Sequence, residues 1–587
     1  MKIFHAIKSF FHPRGPLPGS QKAEISLKLR LIHWAFCWLG GALMATAFPP
    51  LNFTLAVFVA LTVLLLEARN RSPLQAAWCG WLWGMGYALC GFFWLREIHG
   101  AIPWMMMLVL GAYYIPVGWT AALANRYILL PPEVRRSGFT AQCAFRNFSL
   151  IRQLAWALTV ACSLVLVEYL RHSVLPWNYL GVAFYRNSVL MQLVRFTGIS
   201  GLSMLAALFN AALALAILTV AQKLPEQNRI TYRRPWVLLI MLLVLALGMC
   251  AGVMLLRERR KEYAAFEDTV KLTLVQGNLS QRRLGGEDSA MEALNRYSAL
   301  TRTQTGAVTD LVVWPETAVN YPLRGAAMVC ALYRDEVREL SRLMKAPLLL
   351  GTLEFDMSQD PPGSLNSAVL TDTRDVLRYG FKDIYSKTHP VPFGEFIPMR
   401  RYLPGWLINL IDMKRDLTPG KSLAPIVLSD KVKLGVNICF EDVFAYISRE
   451  EFMRDANILL VITNDAWYPT SSEPEQHLAN AVARAIECGL PMVRCGNDSA
   501  TCVITPGGEI IWSLAETLKF GDGKPFRRGS GAATVTVKVP RSGALQATFY
   551  SRFGDWLVGA AAVIYLAMLL FMWHGRLQLV KKTQEKL

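Results

Sequence analysis

The feature that most constrains this chain is a series of apolar runs near bilayer length, separated by short basic loops. A helix crossing the hydrocarbon core needs about 20 apolar residues. Seven runs approach that length: Leu31–Phe48, Phe53–Leu66, Ala76–Leu95, Ile102–Ala124, Leu154–Leu170, Gly198–Ala221 and Pro235–Leu256. The second is short, and it either starts earlier or forms a re-entrant pair with the first across Pro49-Pro50. An eighth run, Trp556–Trp573, closes the chain. Residues 262–547 between them have the composition of a soluble domain. The expected organisation is a basic tail (1–30), a seven-helix membrane domain (31–258), a globular domain (262–547), an eighth membrane helix (555–574) and a second basic tail (575–587). Inside a bilayer the backbone must satisfy itself, so these runs are read as helices.

The net charge is +18. Such a balance raises nucleic acid as a partner, but its placement argues against it. The basic residues cluster in the N-terminal tail, at Arg69 and Arg71, in the 125–153 and 222–234 loops, and in the C-terminal tail. These clusters fall on alternate loops, the footprint of the positive-inside rule. They place both termini in the cytoplasm and the globular domain on the opposite face. Arg257, Arg259, Arg260 and Lys261 run against that orientation. The eleven cysteines show no zinc-ligand spacing, and no metal or cofactor is expected. A Cys495–Cys502 disulfide is a minor alternative to free thiols. Glu168 is read as pairing with Arg171 near the interface, and Trp177 as an interfacial anchor rather than a substrate contact.

In the globular region, strand-like and helical patterns alternate. Val270–Gln276, Asp310–Trp314, Pro347–Leu350, Val432–Ile438 and Ile458–Thr463 read as strands. Ser367–Thr371 and Val376–Phe381 read as a hairpin around Asp375. Met291–Gln304, Ala327–Met344 and Glu475–Cys488 read as helices. Such alternation indicates α/β layers. Glu316, Lys387 and Cys439 each follow an apolar strand, where α/β sheets present their sites. Cys439 also precedes a helical segment, a setting that favours thiolate. Alone, Cys439 is more simply a packing residue, Glu316 a helix-terminal charge, and Lys387 a loop residue paired with Glu395. Together they form a coherent set. A carboxylate can take the thiol proton, and a fixed ammonium can stabilise the oxyanion of acyl transfer.

Trp314-Pro-Glu316, the Lys387 segment with Pro392-Phe-Gly-Glu395, and Ile438-Cys-Phe-Glu441 resemble the nitrilase, or carbon–nitrogen hydrolase, superfamily. Ala47-Phe-Pro-Pro50, Trp83-Gly84, Glu168-Tyr-Leu-Arg171, Val275-Gln-Gly-Asn278, Thr463-Asn-Asp-Ala-Trp467 and Gln476-His477 extend the resemblance to its membrane-bound apolipoprotein N-acyltransferase family. That resemblance implies an αββα sandwich carried on eight membrane helices, facing the periplasm from the bacterial inner membrane. It implies a ping-pong reaction without a cofactor. Cys439 takes an acyl chain from a phospholipid, commonly phosphatidylethanolamine, and passes it to the α-amine of a diacylglyceryl-cysteine on an apolipoprotein. Glu316 would be the base, Lys387 the oxyanion partner, and Glu395 and Glu441 supporting residues.

Phe440 stands where the family often has Tyr, and Cys495-Gly496 replaces its usual continuation. Tyr402, Leu403, Trp406, Leu407, Leu410 and Ile411 form an apolar loop after Glu395, read as a lid or lipid entry, with packing inside the domain as the equal alternative. Two rival functions remain at this point. One is a membrane-anchored amidase that gives its acyl group to water. The other is a catalytically inert scaffold.

Overall fold

The structure, a computed structural model, describes residues 27–69, 71–130, 149–173, 175–223, 230–232, 234–280, 287–357, 362–371, 381–392, 394–397, 399–405, 408, 416–468, 471–520, 529–541, 543 and 547–584. Among them, five helices are long and apolar enough to cross a membrane: Ile102–Leu129, Leu150–Leu170, Ile199–Thr219, Trp236–Ala264 and Trp556–Gln578. The other three expected spans are the helices Leu27–Ala45, Ala60–Glu67 and Pro73–Gly91, of 19, 8 and 19 residues. Length and apolarity thus mark five of the eight expected spans among the described residues. The shorter helices pack through small residues, as lipid-embedded helices do. A Cβ on Gly41 would lie 1.8 Å from the Trp83 carbonyl oxygen, and one on Gly86 would lie 2.0 Å from that of Trp38.

Among the described residues the globular part is built from twelve strands: β1 (Asp268–Gln276), β2 (Leu311–Val313), β3 (Leu348–Asp356), β4 (Gly363–Thr371), β5 (Phe381–Ser386), β6 (Ile426–Ser429), β7 (Val432–Ile438), β8 (Ile458–Thr463), β9 (Met492–Gly496), β10 (Cys502–Ile504), β11 (Ile510–Ser513) and β12 (Gly531–Val539). They form two six-stranded sheets, ordered β12-β1-β2-β3-β4-β5 and β11-β10-β9-β8-β7-β6. Each sheet has three parallel strands, β1-β2-β3 in one and β7-β8-β9 in the other. The facing sides interdigitate Leu272, Val313, Leu349, Leu434, Val436, Leu460 and Val493. Helices α1 (Glu287–Arg302) and α2 (Met328–Met344) cover the outside of the first sheet. Helices α3 (Ala445–Met453) and α4 (Glu473–Cys488) cover the second, in one apolar core continuous with the membrane helices. The result is an αββα sandwich joined to a helical membrane part.

Several expectations change. The hairpin's second arm is β5, which pairs Thr371 with Phe381 and runs on to Ser386; residues 372–380 lie outside the described set. Lys382 and Asp383 interrupt its apolar pattern and conceal it from the sequence. Cys495 and Cys502 are free thiols. Cys502 pairs in register with Arg494, so strand alternation turns Cys495 to the opposite face. Its thiol meets the carbonyls of Val313 (3.4 Å) and Val275 (3.6 Å) between the sheets.

Trp177 is fully buried rather than interfacial. Glu168 and Arg171 are also buried. Glu168 accepts the Leu180 amide (2.7 Å), and Arg171 donates to the Trp177 carbonyl (2.7 Å), so both brace the turn that carries Trp177 instead of pairing at an interface. The cationic run after residue 256 continues the Trp236–Ala264 helix. Arg260 grips Glu509 through two bonds (2.6 and 2.9 Å), which ties that helix to the sandwich.

Candidate active site

Cys439 ends β7 on a sharp turn into a short 3-10 helix, Cys439–Val443. Its φ is 53°, left-handed backbone that costs a non-glycine residue about 1–2 kcal/mol. Buried bonds hold the turn. The Glu441 carboxylate accepts the Ile438 amide (2.8 Å), the Thr388 amide (2.7 Å) and hydroxyl (2.8 Å), and the Tyr385 hydroxyl (2.9 Å). One buried acid thus fastens the Cys439 turn to the segment that carries Lys387. On the other side, His477 Nε2 lies 3.2 Å from the Cys439 carbonyl and 2.8 Å from Asp442 Oδ1.

Glu316 follows β2, and its two oxygens are separately held. Oε1 accepts from Asn366 Nδ2 (2.8 Å), and Oε2 accepts the Asn464 amide (2.9 Å) at the end of β8. Lys387 Nζ lies 3.6 Å from Glu316 Oε1 and 2.9 Å from Glu395 Oε1. Glu395 is fixed in turn by the Val391 amide (2.7 Å). Glu316 and Lys387 are buried, while Cys439 is partly accessible.

Burial raises the Glu316 carboxyl above its ordinary range, against the pull of Lys387. Burial and the Glu316 charge push the Cys439 thiol well up, although Lys387 opposes them. Burial alone would lower Lys387, but Glu395, Cys439 and Glu316 raise it above its usual value. The resting thiol is therefore neutral, beside a lysine that stays charged. The thiolate expected from the helix terminus and the lysine is not the resting form, because desolvation outweighs both.

Beside this group lies a buried charge cluster. Asp442 pairs with Arg494 and His477, and His477 Nδ1 lies 3.3 Å from Asp465. Asp442 and Asp465 raise His477 to about 10 despite burial. Burial would raise Asp465, but His477 and Arg494 hold it at about 2.

Phe440 lies flat on Trp177, with ring centroids 5.4 Å apart and planes 7° from parallel. Of the expected lid, Tyr402 is 69% exposed and Leu403 half-buried; Trp406, Leu407, Leu410 and Ile411 lie outside the described residues. Arg400 and Asp416 pair (2.7 Å) across the base of that loop. The structure thus brings together Glu316, Lys387, Cys439, Glu395 and Glu441. Asn366, Asn464 and Tyr385 were missed as site residues. The signal for Asn366 was available, since it is a polar residue two positions before the apolar run Ala368–Leu370.

Residues 40–212 match the model for the apolipoprotein N-acyltransferase N-terminal domain, and residues 271–519 match that for carbon–nitrogen hydrolase. An apolipoprotein N-acyltransferase from Geobacter metallireducens is 29% identical over 548 residues, 90% of this chain and 94% of that protein. One from Rhodopseudomonas palustris is 27% identical, covering 92% and 94%. Among solved structures, Nit3 of Saccharomyces cerevisiae, of the nitrilase superfamily, aligns with 46% of this chain and 91% of its own, at 15% identity and a TM-score of 0.34.

Proposed function

The chain belongs to the apolipoprotein N-acyltransferase family, and on that premise we propose how it N-acylates lipoproteins at a membrane. The Cys439 sulfur attacks the carbonyl of a phospholipid ester, and Glu316 takes the thiol proton. The tetrahedral oxyanion forms beside the Lys387 ammonium, a preorganised charge that needs no reorganisation. Collapse breaks the ester C–O bond, and Glu316 returns the proton to the departing lysophospholipid. The α-amine of a diacylglyceryl-cysteine then attacks the thioester. Glu316 accepts the amine proton and passes it to the leaving Cys439 sulfur, leaving an amide and the free enzyme.

Glu395 holds Lys387, and Glu441 holds the nucleophile turn. Phosphatidylethanolamine is the donor we favour. Tyr402 and Leu403 belong to the lipid-entry loop with Trp406, Leu407, Leu410 and Ile411. The sandwich, residues 262–547, faces the periplasm, and both termini lie in the cytoplasm.

The observation that carries this reading is the wall beside the thiol. Phe440, next to the partly accessible Cys439, stacks on Trp177 in an apolar core shared with the membrane helices, which sets the thiol against the membrane half of the molecule. The test supplies purified protein in micelles with acyl-labelled phospholipid and a diacylglyceryl-cysteinyl peptide. Label is expected on the peptide α-amine, and none with Cys439→Ala. Release of labelled fatty acid with no labelled peptide would mean that water is the acceptor.

A further inference from the structure

The first turn of α4 carries three consecutive side chains that face three ways. Glu475 Oε1 accepts from Asn52 (3.0 Å), Tyr185 (2.6 Å) and Arg186 (2.5 Å), all in the helical membrane part. His477 faces the Cys439 turn. Gln476, between them, is buried. Its amide oxygen accepts from Trp94 Nε1 (3.0 Å), Trp177 Nε1 (2.8 Å) and Asn178 Nδ2 (3.0 Å). Its amide nitrogen donates to the Pro49 carbonyl (3.0 Å) and the Ser472 hydroxyl (3.2 Å). Indole N–H groups only donate, so the oxygen must be the atom that faces them.

Two indoles from separate segments are therefore aimed by one amide. Trp177 lies flat on Phe440, and Trp94 meets Trp177 (5.5 Å) and the edge of Tyr468 (4.8 Å). Phe440 is the residue after the nucleophile. We propose that Gln476 is a positioning residue that holds the aromatic stack backing Phe440, the residue a lipid acyl chain meets beside Cys439. This rests on the acyl-transfer reading given above. Replacing Gln476 by an apolar residue leaves two buried indole N–H groups without their acceptor, while the Asn178 amide keeps the Gly91 carbonyl (3.5 Å). The indoles can recover partners only by turning, which takes Trp177 off Phe440. The bonds described for Glu316, Lys387 and Glu395 do not involve Gln476, so the thiol's own chemistry is retained.

The test compares alkylation of Cys439 by iodoacetamide and by its N-hexadecyl derivative, in the full-length protein in micelles, alongside thioester formation from labelled phospholipid. With Gln476→Leu, iodoacetamide should react within twofold of the parent rate. The hexadecyl reagent and the phospholipid should each react at least tenfold more slowly. Gln476→Glu, which keeps an acceptor oxygen and can donate when protonated, should recover at least half of the parent rate. If Gln476→Leu does not accumulate, Gln476→Met, closer in shape, takes its place with the same expectation. Equal slowing of both reagents, an unchanged hexadecyl rate, or no recovery with Gln476→Glu would overturn the proposal. A parent protein that forms no thioester would instead sink the acyl-transfer reading, while the ratio of the two alkylation rates still judges Gln476.

Discussion

The two sheets are each covered by helices, but the two helical layers face different surroundings. On α1 and α2 the charges are partly solvated: Arg302 reaches Glu336 and Glu339, and Arg338 reaches Asp335, whose side chain is 70% exposed. On α4 nearly every residue from Glu473 to Cys488 is buried, Gln476, His477, Asn480, Arg484 and Glu487 included. There Arg484 donates to the Val443 carbonyl (3.0 Å) and pairs with Glu487 (2.8 Å). Glu487 accepts the Ile199 amide (2.9 Å) at the start of a membrane helix. The same residue types are solvated on one layer and serve as recognition groups on the other. A charge on α4 is held in place by both halves of the molecule.

The largest expected effect comes from breaking that buried pair. Arg484→Ala strands the Glu487 carboxylate and should cost about 3–5 kcal/mol, read as a lowered unfolding midpoint in micelles. Glu487 supplies a pH signature. Burial raises its carboxyl to about 7, although Arg484 opposes the shift. Between about pH 4.5 and 7 the folded chain holds a proton that the unfolded chain has lost, so stability should fall as pH rises through that window, by on the order of 3 kcal/mol. Glu487→Gln should flatten that slope, and an unchanged slope would assign it elsewhere. The smallest effect belongs to the solvated layer, where Arg338→Ala should shift stability by no more than about 0.5 kcal/mol. A loss there as large as that of Arg484→Ala would erase the distinction between the layers.

The sequence showed the site better than its surroundings. Val432–Ile438 and Ile458–Thr463 were placed to the residue, the first because its apolar residues alternate and the second because a fully buried parallel strand reads as an unbroken apolar run. Glu316 and Cys439 were legible because each follows an apolar strand pattern, whereas Lys387 follows the interrupted pattern of β5 and was legible through the resemblance of its segment. The strand Ile426–Ser429 was missed because it is short and alternately exposed. Helix α4 was found, but its polar stripe looks the same whether it meets water or another polar surface. Trp177 was misread for the same reason, since a Trp near a span's end suits an interface and a buried stack equally well. The strain at Cys439 and the raised thiol depend on tertiary burial that one-dimensional spacing does not carry.

The central claim is an acyl-enzyme on one cysteine out of eleven. The most direct measurement incubates the protein with acyl-labelled phospholipid in the absence of amine acceptor, then maps the adduct by peptide mass spectrometry before and after hydroxylamine. A hydroxylamine-labile acyl group on the peptide containing Cys439, absent in Cys439→Ala and sharply reduced in Glu316→Gln, is the expected result. An adduct of equal yield in Cys439→Ala, or one confined to another cysteine, would contradict it.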